Sequence, residues 1–305
     1  MKNLVRYGYP LLMIVGVNGT VIALAGSGAP KVVLIAVVLA AIALSFTVER
    51  LIPYEEYWNR SHDDAGRDAA HVVVNESLML ASLAMIPLVA AIRGPGLWWP
   101  HDLPFWIQVL LAVLVADLGI TVVHMASHRF GWLWRLHAVH HSVTRCYGLN
   151  GLMKHPLHQT LETLGGVAPL LVLGMPASVA SALAAMVAVQ LLLQHSNADY
   201  RVGPLRYVLA LNEGHRFHHQ RDAGAGDVDF GLFTLIWDHA FGTFVLDRHR
   251  RFTSADLGMA AKPDYPSSYR AQLVVPFTRA GGCGEMGPLP RRTVRERIQT
   301  GRRSR

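Results

Sequence analysis

Apolar residues run almost unbroken over about positions 9–26, 32–48, 77–92 and 103–123, separated by shorter polar stretches. At about 1.5 Å of rise per helical residue, runs near 20 residues cross a hydrocarbon core roughly 30 Å thick. Four membrane-spanning helices are therefore expected. A further apolar pair, 161–173 and 176–194, is split by Gly174-Met175-Pro176, which cannot comfortably continue a helix and predicts a helical hairpin. Its first arm is short, so a re-entrant hairpin is an alternative to two full crossings. In either form the chain enters and leaves the hairpin on one face, which puts 124–160 and 195–305 on the same side of the membrane. From about 250 onward Pro, Gly, Ser and Arg mix without apolar periodicity, which predicts a solvated tail with at most one membrane-surface helix.

Composition agrees with a membrane class: 51% of the 305 residues are hydrophobic and 16% charged. The net charge of +7 does not point to nucleic acid, because Lys and Arg lie between and after the apolar runs instead of forming one block. It reads as topological. Lys2, Arg6, Arg50, Arg60, Arg67, Arg129, Arg135, Arg145 and Lys154 fall on one side, against Lys31 and Arg93 on the other, so the first side is expected to be cytoplasmic. The N-terminal apolar stretch ending near Ala23-Leu24-Ala25 could alternatively be a cleavable signal, which would leave the rest of the orientation unchanged. Cys146 and Cys283 form neither a disulfide framework nor a thiolate metal motif. Asn75, Glu76 and Asp117 lie within apolar spans and are expected to face the bundle interior.

Histidine is the outlier, with 16 copies gathered mostly between 124 and 219. Three spacings stand out: His124 with His128; His137 with His140 and His141; His215 with His218 and His219. Positions i, i+3 and i+4 share a helical face, close enough for imidazoles to converge on a metal or on two adjacent metals. A chance HxxHH is expected roughly 0.04 times at this histidine frequency, so two are not accidental. These motifs offer more ligands than one tetrahedral zinc needs, and the Glu of an HExxH hydrolase is absent, which favours two redox-active metals. Asp117 lies two helical turns before His124, where it could accept a hydrogen bond from a histidine or simply make a polar helix contact. His195 stands at the end of the hairpin's second arm. His155 and His158 flank Pro156 and could be ligands, supporting donors or interfacial groups. His239, in an aromatic turn, reads as structural or as a support to the site, and His62, His71, His101 and His249 lack partners at metal spacing.

Taken with Leu133-Trp134-Arg135-Leu136-His137, His155-Pro156, His195-Ser196-Asn197, Trp237-Asp238 and Phe241-Gly242-Thr243, these motifs resemble the fatty acid hydroxylase / sterol desaturase superfamily of integral membrane di-iron enzymes over about 117–246. The resemblance implies that His124, His128, His137, His140, His141, His195, His215, His218 and His219 ligate two iron ions, with Asp117, His155, His158 and His239 as possible supports. It implies an oxidoreductase that uses O2 and external electrons to hydroxylate or desaturate an unactivated C–H bond of a lipid. Asp229-Phe230-Gly231 departs from the pattern, since many relatives carry Asn in the first place. No His-Pro-Gly-Gly stretch, dinucleotide fingerprint or iron–sulfur cysteine set is present, so electrons are expected from a separate donor of the cytochrome b5, ferredoxin or flavin reductase type.

The expected architecture is an all-α, multi-pass transmembrane bundle of about four spans plus a helical hairpin, with a cytosolic helical cap carrying the histidines. Its divisions are 1–102 (spans and polar loop), 103–246 (catalytic domain) and 247–305 (polar basic tail). A bacterial inner membrane is favoured over endoplasmic reticulum. The alternatives are a membrane zinc metallohydrolase, separable by its redox-inert metal, and a histidine-rich metal transporter, which would place ionisable groups near the bilayer midplane.

Overall fold

The computed structural model describes residues 2–93 and 98–278. Its main helices are α1 (Lys2–Gly26), α2 (Lys31–Leu51), α3 (Ala65–Arg93), α4 (Phe105–Arg129), α5 (Gly131–His141), α6 (Pro156–Leu173), α7 (Ala177–His195), α8 (Asn212–His218), α9 (Ile236–Phe241) and α10 (Tyr269–Val274). Among the described residues only isolated β-bridges interrupt this all-α character. Among the described residues five helices, α1, α2, α3 over Ala65–Leu88, α4 and α7, are long and apolar enough to cross a membrane. The protein is thus a multi-pass membrane bundle. Four of the five correspond to the predicted runs, and the fifth is the second arm of the predicted hairpin.

The hairpin turns where the sequence places it. Gly174 closes α6 in the left-handed region at φ 97°, a conformation that costs a residue without Cβ little, and Pro176 precedes α7. The first arm, α6, packs tightly on α4, because a Cβ on Gly119 would stand 2.1 Å from the Gly165 carbonyl oxygen. Small residues at such a crossing let two backbones approach without a hydrophobic driving force, as lipid-embedded helices require.

Helix α3 begins at Ala65, well before its apolar run. Its first turns bury Asp68, His71 and Asn75, which reach polar partners at the end of the bundle where the histidines lie. Asp68 accepts from the Tyr147 hydroxyl, and Asn75 donates to the carbonyls of Leu152 and Lys154. Arg145 forms a two-pronged buried pair with Asp64 at 2.7 and 2.6 Å. These contacts fix the loop between α5 and α6 against α3.

The segment 247–278 corrects the expectation of a solvated tail. Phe252 and Leu257 are buried with Trp58, Cys146 and Phe217, and Trp58 donates its indole N–H to Ser254. Gln272 of α10 is fully buried and meets His71 at 2.9 Å. Isolated apolar residues in a polar stretch carry no periodic signal, yet each fills a pocket of the cap. The arginine-rich stretch from 279 to 305 lies outside the described residues.

Candidate metal centre

Nine buried histidines converge at one end of the bundle, in two groups. His124, His128, His137, His141 and His218 form the first; His140, His195, His215 and His219 form the second. Within each group the ligand-capable atoms lie within 4.8 Å of one another. The division follows from helix geometry. In α5, His137 and His141 are one turn apart and face the first group, while His140 is rotated toward the second. At α8 the roles reverse: His215 and, just past the helix end, His219 face the second group, and His218 the first. The groups touch, with the rings of His141 and His219 4.8 Å apart between centroids.

The outward nitrogens determine what the inward ones can do. His124 donates from Nδ1 to the Phe230 carbonyl at 2.9 Å, and His218 donates from Nδ1 to the Val228 carbonyl at 2.9 Å. His140 and His195 donate in the same way to the carbonyls of Met153 and Leu191. A neutral imidazole has one N–H, so each of these rings presents a bare Nε2 lone pair to the interior. The two bare Nε2 atoms of His124 and His218 are 2.9 Å apart, and those of His140 and His195 are 3.3 Å apart. Opposed lone pairs cannot hydrogen-bond; a cation between them makes both contacts favourable. The donor set of each group therefore fits a metal ion.

Outside the spans, His137, His140, His141, His215, His218 and His219 are held well below the ordinary histidine pKa, first by burial and then by neighbouring imidazoles. They are neutral and available as ligands at physiological pH. Imidazole sets of this kind suit iron, zinc, copper or nickel.

Asp227, which the helical spacings do not single out, contacts His128 Nδ1 at 2.9 Å. A carboxylate in this position fixes the ring and raises the basicity of its inward nitrogen. Asp117 does not reach a histidine. Its carboxylate accepts from the backbone N–H groups of Leu232, Phe233 and Thr234 and from the Thr234 hydroxyl. Asp238 accepts from the N–H groups of Phe230 and Gly231. The two carboxylates together hold the loop whose Phe230 carbonyl orients His124, so Asp117 acts one step further away than its helical register suggests.

His158 stands beside the first group, its ring 4.4 Å from that of His137. Its Nε2 is 2.9 Å from the Ser127 oxygen, whose own proton goes to the Val123 carbonyl, so His158 donates to Ser127 and that nitrogen is not a free lone pair. His155 caps α6, accepting from Leu157 N–H, and its Nε2 meets the Leu273 carbonyl. His239 is exposed and meets the Tyr207 carbonyl, away from both groups. Trp134 and Phe230 wall the first group, with ring centroids 5.0 and 5.1 Å from that of His128, whereas Trp132 is exposed and Phe217 packs on Phe252.

A cavity of about 190 Å³ touches the first group at His128, His141 and His218, and its outer rim carries Arg221, Asp222 and Lys262. A second cavity, of about 170 Å³, lies between α3, α4, α6 and α7.

The sequence profile described as fatty acid hydroxylase matches residues 109–243. The chain is 32% identical over 272 residues to the ornithine lipid hydroxylase OlsE of Rhizobium tropici, an alignment covering 86% of this chain and 81% of that protein. It is also similar to the alkylglycerol monooxygenases of Danio rerio (31% identity, 48% of this chain, 31% of that protein) and Homo sapiens (30%, 50% and 33%). The chain thus spans about a third of the length of those two relatives. No solved structure gives a significant match.

Proposed function

Because the chain belongs to the fatty acid hydroxylase / sterol desaturase superfamily, we propose that its nine converging histidines hold two iron ions and that its substrate is an amino-acid-headed membrane lipid of the ornithine lipid type. The protein is a membrane oxidoreductase of lipids, in the manner of its family. The observation that carries the metal assignment is the facing of bare Nε2 pairs, His124 with His218 and His140 with His195. Similarity to a lipid hydroxylase over most of both chains supports the lipid class, and favours insertion of oxygen over formation of a double bond.

Bound iron would supply reductive activation of O2 and removal of hydrogen from an aliphatic C–H bond. The balanced reaction converts C–H, O2, two electrons and two protons into C–OH and water, with the electrons coming from a separate redox protein. The chain's own residues position and protect. Asp227 and the Phe230, Val228, Met153 and Leu191 carbonyls fix the imidazole tautomers, and Trp134 and Phe230 pack against the rings of the first group. The excess of Lys and Arg on the histidine-bearing side supports a cytoplasmic centre.

The test is metal stoichiometry on detergent-purified, anaerobically reconstituted protein, beside a His140→Ala/His218→Ala variant. Two irons per chain, lost in the variant, with ornithine lipid gaining one oxygen when O2 and a reductase are supplied, is the expected result. Tightly held zinc that iron does not replace would instead favour a hydrolase.

A further inference from the structure

The cavity between α3, α4, α6 and α7 has two unlike ends. Along most of its length it is apolar, walled by Leu83, Ile86, Ile120, Val167 and Leu183. At the end nearer the histidines it meets Lys154 and Glu162, which pair with each other and are both buried. Glu162 gives one carboxylate oxygen, Oε2, to the Lys154 ammonium. Its other oxygen, Oε1, is buried without a hydrogen-bond partner, in a side chain only 3% exposed. A buried carboxylate oxygen left unpaired is costly, and Glu162 is one of the residues that line the cavity, so a donor seated at this end has an acceptor within a short side-chain adjustment. Leu78 and Leu164, which line the cleft, are exposed on the outside of the bundle, an apolar opening through which a lipid chain can enter.

The polar end abuts the metal centre. Glu162 lies 3.8 Å from His158 Nδ1, and the His158 ring packs against His137, tilted by 34°. Leu191, another wall residue, supplies the carbonyl that takes the His195 Nδ1 proton. The opposite end reaches Met175 at the α6–α7 turn, roughly 20 Å away by the rise of α6.

We propose that this cleft binds one acyl chain of the lipid substrate, with an N–H or O–H at the head of that chain donating to Glu162 Oε1 and the methyl end directed to Met175. This rests on the reading of the protein as a lipid oxygenase and adds an orientation to it. The part of the lipid nearest the histidines is then its polar end, and oxygen is inserted in the headgroup or the first carbons, never near the methyl terminus. A hydrogen-bond donor at the chain head, such as the amide of an N-acyl amino acid, is the feature the cleft selects; an ester lacks it.

The test uses the full-length, metal-loaded protein in nanodiscs and two photoactivatable probes with a diazirine near the end of a palmitoyl chain. One is N-palmitoyl-ornithine and the other a palmitoyl methyl ester, which has no N–H or O–H. Labelled peptides are mapped by mass spectrometry, and iron is measured in the same samples. We expect the ornithine probe to label α3, α6 and α7 around Ile86, Leu171 and Leu183, at least fivefold more than the ester does. Ala184→Trp, which fills the cleft from a partly exposed wall position, should reduce that labelling about tenfold with iron content unchanged. Lys154→Met/Glu162→Leu, which removes the pair without leaving a lone buried charge, should bring the ornithine probe down to the ester's level. Labelling outside the cleft, equal labelling by both probes, or oxygen found at the methyl end of the product would overturn the proposal. Discriminating labelling in a protein that binds no iron would uphold the subsite and remove the oxygenase reading instead.

Discussion

The Nε2 atoms of His124 and His218 face each other at 2.9 Å while the Nδ1 atom of each ring is committed to a main-chain carbonyl. Two neutral rings held this way repel, and the protein keeps them together by packing. Removing metal should therefore be felt as lost stability. A tightly bound ligand present at about a hundred times its dissociation constant stabilises a fold by about 2.7 kcal/mol. Treatment with chelator should lower the thermal unfolding midpoint by several degrees, and added Fe(II) should restore it. A midpoint indifferent to chelator would contradict a metal held between these rings.

The same histidines set a pH dependence. Folded His137, His141, His215 and His219 titrate well below the ordinary value of 6.5, so the folded state refuses protons that the unfolded chain accepts. Stability of the metal-free protein should be full above that value and fall as pH drops through it, because unfolding then takes up protons. Thermal midpoints measured at about pH 8 and pH 5.5 should decrease in that order; a rise on acidification would show that these rings are protonated in the folded state.

Asp227 should matter through His128. Asp227→Asn retains the shape and weakens the hold on the ring, and the expected loss of iron affinity is about 10–100-fold. Circular dichroism should be unchanged. If iron binds as tightly to the variant, the 2.9 Å contact is structural only.

Asp229 presents the reverse case. Its carboxyl is pushed well above the ordinary carboxylate range, first by burial and then by the nearby Asp238, and its Oδ2 has no hydrogen-bond partner. A raised pKa makes the folded state retain a proton that the unfolded chain releases, so the cost of this residue grows as pH rises above 3.8. Asn removes that cost, keeps the acceptor for Val245 N–H, and tolerates the φ of 51°. Asp229→Asn should stabilise the protein by on the order of 1 kcal/mol near neutral pH, with the gain vanishing toward pH 4. Equal midpoints for the two proteins at neutral pH would argue against a strained carboxyl here.

Gly119 is a point of close backbone approach between α4 and α6. Gly119→Ala would press a methyl group on the Gly165 backbone and should destabilise by about 1–3 kcal/mol, whereas Gly66→Ala, with open space around it, should not. A comparison of their midpoints separates close packing from a general effect of losing glycine.

The convergence of the histidines was legible because helical register is local and three short spacings bring rings close together, but register alone did not separate His140 from His137 and His141 or His218 from His215 and His219. Asp227 was not legible, since it reaches His128 from 99 residues away through an irregular loop. Asp117 illustrates the limit of register. It is buried on the predicted side of α4, but which partner fills its reach depends on the loop 230–234 folding across it. The hairpin turn was readable from Gly174 and Pro176, while the docking of Phe252, Leu257 and Gln272 was not, because single buried residues leave no period. The polar start of α3 was hidden for a related reason: Asp68, His71 and Asn75 look solvated until their partners from other parts of the chain are in place.

Because α5 and α8 each contribute rings to both groups, neither group has a scaffold of its own. An ion seated in one group would hold both helices and so set the remaining inward nitrogens for a second. Loading should then be close to all-or-none, with empty and doubly occupied molecules dominating a titration at half saturation and singly occupied ones scarce. The gap between the two groups is in turn set by the pitch of two short helices, a spacing that side-chain mobility can do little to alter.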